Sequence, residues 1–310
     1  MGDSAERRGL NEAMDQMMPA AELPGPPFTV QPARRPTAPL VFASPHSGRD
    51  YTPAFLAAAR LDPLALRRSE DSFVDELFAS APGHGAPLIA ATFPRAYCDP
   101  NREAWELDPA MFDGALPPWV NTTSARVSAG LGTIARVVAS GESIYRGKLQ
   151  FAEAEARINR CWTPYHAELA RLLAETQARH GACLLIDCHS MPGPAAARAQ
   201  APGRAAAPDF VLGDAHGTAC APRVTSLVEG VLSGLGYRVR RNDPYAGGFV
   251  TRHYGRPRDG VHALQIEISR ALYMDEARIE RRPEFGRVQA HLSALAARLA
   301  AEAPSLLRQT

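Results

Sequence analysis

The stretch 184-LLIDCHSMPG-193 decides the fold. Three aliphatic residues, Leu184 to Ile186, run into Asp187, Cys188, His189 and Ser190, and a Met-Pro-Gly break closes the segment. A short apolar run bounded by turn residues reads as a buried strand. In an open α/β sheet, sites form at the carboxyl ends of such strands. Period two puts Asp187 and His189 on the same strand face. Cys188 beside His189 invites a catalytic-thiol reading, but a small buried hydrophobe at a strand end is the stronger reading.

Working outward, similar apolar runs occur in 38–48 (APLVFASPHSG), 86–93 (APLIAATF), 208–217 (PDFVLGDAHG), 237–242 (YRVRRN) and 262–269 (HALQIEIS). Between them lie helical patterns. Residues 63–81 place Leu66, Phe73, Val74, Leu77 and Phe78 at three- and four-residue spacing. Residues 142–180 form a long charged amphipathic region with a break or kink at Pro164. A helix begins at Ala221 and ends near Gly234 to Gly236, and another spans 283–301. Strands alternating with helices imply an α/β domain with a mainly parallel or mixed sheet. Residues 1–36 are proline-rich and without periodicity, a flexible or wrapped N-terminal arm. Residues 37–310 read as a single domain. The Ala-, Pro- and Gly-rich segment 192–208 reads as a surface loop, placed where a lid or substrate loop would sit.

Composition narrows the function. A formal net charge of +1 gives no global field for nucleic acid or an anionic membrane. No apolar run reaches membrane-spanning length, and the first residues lack an apolar signal core. Five cysteines, an odd number without a CxxC pair, fit reduced thiols and a cytoplasmic protein. The motif 130-GLGTIA-135 fits GxGxxA, but no apolar strand precedes it, so dinucleotide binding is set aside.

Polar residues gather at the expected strand ends. His46 follows LVFASP, and Asp187 and His189 follow LLI. Arg95, Asp99, Asn101 and Arg102 follow PLIAATFP. Glu267 lies in LQIEIS, where alternation sets Gln265, Glu267 and Ser269 opposite Leu264, Ile266 and Ile268. Two histidines and a carboxylate from separate elements make a catalytic zinc site with one position left for water, and a further carboxylate serves as base. Taken alone, each histidine is equally consistent with a structural role, and nothing here has the tight spacing of HExxH.

The wording of the motifs goes further. SPHSGRDY, EDSFVDELF, RAYCDPNRE, WTPYHAEL, IDCHSMPG, GGFVTRHYGRP and HALQIEISRALYMDE, in that order over residues 38–280, resemble the N-formylglutamate amidohydrolase family. The resemblance implies a three-layer α/β/α sandwich around a mixed, mainly parallel sheet, phosphorylase/hydrolase-like and similar to zinc carboxypeptidases and aspartoacylases. It implies one zinc ion and a small-molecule N-acyl amino acid as substrate. His46 and His189 match the metal histidines. The carboxylate ligand comes from SEDSF, with Asp71 preferred and Glu70 as the alternative. Glu267 matches the general base, taking a proton from water and handing it to the leaving amine. Asp187 supports a ligand from behind or forms a strand-end salt bridge. Asn101 and Arg102 resemble the pair that grips a substrate carboxylate, with Arg95 and Arg270 as further candidates. Gly247 and Gly248 suggest backbone near a ligand or an ordinary turn.

The expected reaction is hydrolysis of N-formyl-L-glutamate to formate and L-glutamate. A zinc carboxypeptidase or deacylase acting on a larger acyl group, and a non-catalytic binding protein on the same fold, stand as alternatives.

Overall fold

The computed structural model describes residues 23–138, 140–193 and 207–307. The loop expected over 192–208 therefore falls mostly outside the described residues, as do residues 1–22 of the arm.

Seven strands form one sheet: β1 (Phe28–Gln31), β2 (Leu40–Ser44), β3 (Leu88–Ala91), β4 (Cys183–Met191), β5 (Phe210–Gly213), β6 (Val239–Arg241) and β7 (Val261–Ser269). Their spatial order is β1-β3-β2-β4-β7-β5-β6. Strands β3, β2, β4 and β7 run parallel to one another. β1 joins antiparallel to β3, and β5 antiparallel to β7 with β6 parallel to β5. The sheet is thus mixed, with a parallel centre.

The two faces follow from alternation. Leu40 and Phe42 of β2, Leu184, Ile186 and Cys188 of β4, and Leu264, Ile266 and Ile268 of β7 face one core. Helices Val74–Leu77, Pro222–Gly234 and Phe285–Leu307 close that side through Leu77, Val228, Leu292 and Leu299. Val41 and Ala43, Cys183 and Leu185, and Ala263 face the second core. It is covered by helices Pro53–Ala58, Thr163–His180 and Phe249–Tyr254 through Phe55, Tyr165, Leu169 and Val250. On this second face the apolar positions stop before the strands do. Asp187, His189, Gln265 and Glu267 take over toward the carboxyl ends, leaving that end of the sheet polar beneath an apolar middle. Burying such groups is costly unless each is paired, so the fold must supply partners there.

Three local features differ from the sequence reading. The pattern over 63–81 is two short helices, Pro63–Arg67 and Val74–Leu77, and not one. The break comes at Phe73, whose φ of 67° is left-handed, so Glu70 to Ser72 form a turn. The region 142–180 is helical only from Phe151. A π-helical turn, Ile158–Trp162, precedes the helix that carries Pro164 in its first turn. Finally, part of the arm is structural, because residues 28–31 form edge strand β1.

Candidate active site

His46 stands two residues beyond β2, and His189 is in the last turn of the pleat of β4. Asp71 reaches them from the turn before Val74, where its N–H donates to the His46 carbonyl at 3.0 Å. Its Oδ2 lies 3.2 Å from His46 Nδ1 and 3.0 Å from His189 Nδ1. The outer ring nitrogens face carboxylates as well. His46 Nε2 is 2.7 Å from Asp99 Oδ1, and His189 Nε2 is 2.9 Å from Asp187 Oδ1. The other Asp71 oxygen accepts from Ser190 Oγ and Arg270 Nη2, each at 3.0 Å.

Glu70 goes elsewhere. Arg67, Ser72 and the Tyr51 hydroxyl occupy its carboxylate. Of the two adjacent acids, Asp71 is the one brought to the histidines.

Whether these residues fit a metal is a question of proton count. A neutral imidazole donates through one nitrogen only. Here both nitrogens of both rings face a carboxylate oxygen, and the two Nδ1 atoms share one oxygen. Without a cation, no arrangement of neutral rings can donate in all four contacts. With a divalent cation among the two Nδ1 atoms and Asp71 Oδ2, neutral rings keep Nε2–H for Asp99 and Asp187, the usual support of a metal-bound histidine. The three ligand atoms lie within 4.8 Å of one another, the one such cluster among the described residues. The donor set, two nitrogens and one oxygen from three residues, fits a divalent metal at a catalytic site.

The electrostatics agree. Burial works against the Asp71 charge, but bonds from His189 and His46 and the nearby Arg270 hold its carboxyl well below the usual range. Burial likewise opposes Asp99, and Arg95, His46 and Arg102 hold it down. His189 is raised well above an ordinary imidazole against burial, chiefly by Asp187 and Asp71. Around the two imidazoles themselves, Asp71, Asp99 and Asp187 thus supply local negative charge that favours a cation.

Glu267 is the register partner of His189 on the next strand. Burial pushes its carboxyl up to about 7, with His189 pulling the other way. Gln265 Nε2 donates to Glu267 Oε1 at 2.9 Å, while Gln265 Oε1 accepts from Gly248 N at 2.9 Å. A buried carboxyl near neutrality beside a cation site suits proton transfer.

The other sequence candidates surround this centre. Asn101 Oδ1 accepts from Val250 N at 2.8 Å, and its Nδ2 lies 3.3 Å from His189 Nε2. Gly248 is tight because a Cβ there would overlap the Asn101 amide. Gly247, with φ of 118°, needs a conformation that side chains avoid. Arg102 donates Nε to the Leu131 carbonyl and Nη1 to the Asn101 carbonyl. Its own carbonyl accepts from Trp162 Nε1 at 2.9 Å, and the Pro100 carbonyl is 2.8 Å from His166 Nε2. Arg95 pairs with Asp99 at 2.7 Å. Arg270 is bound to Asp71, Ser190 and the Arg68 carbonyl. All of them except Asp187, which lies beneath, line one cleft of about 380 Å³. Asp99 as the partner of His46, and Gln265 as the link between Glu267 and Gly248, were not assigned from sequence. The strand-end position of Asp99 and the face shared by Gln265 and Glu267 were the available signals.

A mixed α/β/α sandwich with this cluster at the ends of its central parallel strands has the layout of a hydrolase, and the matches that follow make it one acting on an amide bond. Residues 38–274 match the profile of the N-formylglutamate amidohydrolase family, and the chain belongs to that family. It is 33% identical over 250 residues to an N-formylglutamate deformylase of Pseudomonas aeruginosa, a match covering 78% of this chain and 85% of that one. A second N-formylglutamate deformylase, from Pseudomonas putida, is 29% identical over 245 residues, covering 77% and 82% respectively. In three dimensions the chain is similar to N-formylglutamate amidohydrolase from Ralstonia eutropha, with a TM-score of 0.83 and 41% identity, covering 89% of this chain and 97% of that one.

Proposed function

We propose that the protein hydrolyses N-formyl-L-glutamate to formate and L-glutamate with one zinc ion held by His46, Asp71 and His189. The observation that carries this reading is the convergence of both Nδ1 atoms on Asp71 Oδ2, with Glu267 on the adjoining strand. The deformylase relatives support the choice of substrate. Bound zinc supplies a Lewis acid for the formyl carbonyl and makes water more acidic. Glu267 takes the proton from the attacking water. The water oxygen bonds to the formyl carbon, the C–N bond breaks, and Glu267 returns the proton to the departing nitrogen. Asp99 and Asp187 hold the two imidazoles, and Arg270 and Ser190 hold Asp71. Arg95 and Arg102, with Asn101 setting the loop, present cations to the α-carboxylate next to the scissile bond. The five buried, unpaired cysteines support a cytoplasmic setting, and among the described residues no helix is long and apolar enough to cross a membrane.

The test uses metal-depleted protein restored with single divalent ions, and a panel of N-formyl and N-acetyl amino acids read by amine and formate release. Zinc-dependent turnover, fastest on N-formyl-L-glutamate, is the expected result. Full activity in the metal-depleted protein, or turnover only of larger acyl groups, overturns it.

A further inference from the structure

The cleft is over-supplied with positive charge. Arg95, Arg102, Arg126, Arg252 and Arg270 line it, against the carboxylates Asp71, Asp99 and Glu267. Three of these arginines are committed. Arg270 serves Asp71 and Ser190, Arg95 serves Asp99, and Arg102 spends two donors on carbonyls. Arg126 and Arg252 are different. Among the described residues neither guanidinium has a hydrogen-bond acceptor or an ion-pair partner, and both are exposed at the cleft. They come from separate elements, the short helices Ala125–Ser128 and Phe249–Tyr254.

Position divides the cations into an inner and an outer set. Arg95 is close enough to Asp71 and Glu267 for their charges to raise its pKa. Arg102 adjoins Asp99 and feels both Arg95 and Arg126 as like charges, which, after burial, lower its pKa. Arg126 and Arg252 are exposed in the same cleft where Arg102 and Arg270 are buried, so they lie further out. An α-carboxylate, one carbon from the scissile nitrogen, must stay with the inner set. A side-chain carboxylate two methylenes further out needs a cation beyond it.

We propose that Arg126 and Arg252 form an outer carboxylate subsite, which reads the side-chain carboxylate of an acidic N-acyl amino acid and sets the preference for it over neutral side chains. This rests on the amide-hydrolase reading above and adds the residues that select the side chain. An arginine fork gives both charge and direction to a carboxylate, and two forks without internal acceptors are available without breaking any bond of the folded protein.

The experiment compares the zinc-loaded enzyme with R126Q, R252Q and the double variant. One arm measures kcat/KM on N-formyl-L-glutamate and on N-formyl-L-glutamine, which differ only in the outer charge. The other measures calorimetric binding of L-glutamate and L-glutamine, which needs no turnover. The ratio of glutamate to glutamine is expected to fall about 10-fold or more in the double variant, in both arms. An unchanged ratio, whether both substrates fall equally or neither does, overturns the subsite while leaving the hydrolase reading intact. If the wild type releases no formate but binds glutamate through these arginines, the hydrolase reading fails and the subsite stands. Melting temperatures of the variants exclude a damaged fold as the cause.

Discussion

His189 and Glu267 are directly opposed register partners on the adjacent parallel strands β4 and β7. Partners in register project to the same face of a sheet, with backbones about 4.8 Å apart. The proposed ligand and base are therefore fixed to each other by a hydrogen-bonded ladder and not by two independent loops. Positioning on strands holds reacting groups more precisely than positioning on loops.

Glu267→Gln keeps this placement and removes the proton acceptor. Metal content and fold are expected to be retained while kcat falls on the order of 10²–10⁴. Normal turnover with metal bound would remove Glu267 from the role. The wild-type rate should rise with pH as Glu267 ionises, along a limb at or below about 7, since a cation beside it favours the carboxylate. That limb should be missing from whatever activity the variant retains.

Asp187→Asn leaves the strand end its shape but takes the charge from His189 Nε2. Zinc affinity is expected to weaken about 10- to 100-fold, the usual scale for such outer partners. Competition with a chelator of known affinity measures it. An unaltered affinity would mean that Asp187 serves the fold through Thr251, whose Oγ1 donates to it at 3.2 Å.

Gly248→Ala puts a methyl group into the Asn101 amide, which already bonds Val250 N. Neither backbone can retreat freely, because Gly248 N is held by Gln265. A stability loss of about 1–3 kcal/mol is expected from overpacking. Thermal or denaturant unfolding reads it, and a variant as stable as the parent would show that the Asn101 loop yields.

Acid stability should depend on two imidazoles away from the metal cluster. Burial pushes both His166 and His262 down to about 4. Each is then neutral in the folded protein and, once released on unfolding, takes up a proton below its ordinary value of 6.5. Stability is fully present above about 6.5 and is lost progressively as pH falls toward 4. His262 Nδ1 accepts from Ala221 N–H, and its Nε2 has no partner among the described residues. His262→Asn keeps an acceptor without a titrating group, so the slope of stability against pH in this window should flatten. The same slope in the variant would assign the acid sensitivity elsewhere.

The centre of the sheet was legible because its strands are apolar runs ending in polar motifs. The alternation in 262–269 by itself sets Glu267 on the face opposite Leu264, Ile266 and Ile268. The preference for Asp71 over Glu70 came from the family resemblance alone; in the fold the bond from Asp71 N to the His46 carbonyl, ahead of the left-handed Phe73, turns Asp71 inward. What escaped was set by long-range geometry. Strand β1 lies in a proline-rich segment and exists because β3 offers an edge for it. Arg126 and Arg252 look like ordinary surface arginines in sequence, since nothing local records a missing partner.

The β4–β7 ladder also has a consequence for how the chain comes to life. His46, Asp71, His189 and Glu267 are drawn from nearly the whole length of the polypeptide, and the last strand needed, β7, is among the last made. A growing chain can close β2 against β3 early, but β4 gains its β7 neighbour only after 261–269 has left the ribosome. Non-local pairings of this kind are slow to form. The site can thus be complete only in a finished fold, because Glu267 and Arg270, the partner of Asp71, arrive last. A divalent ion bound by His46, Asp71 and His189 would draw the equilibrium toward the folded chain by mass action.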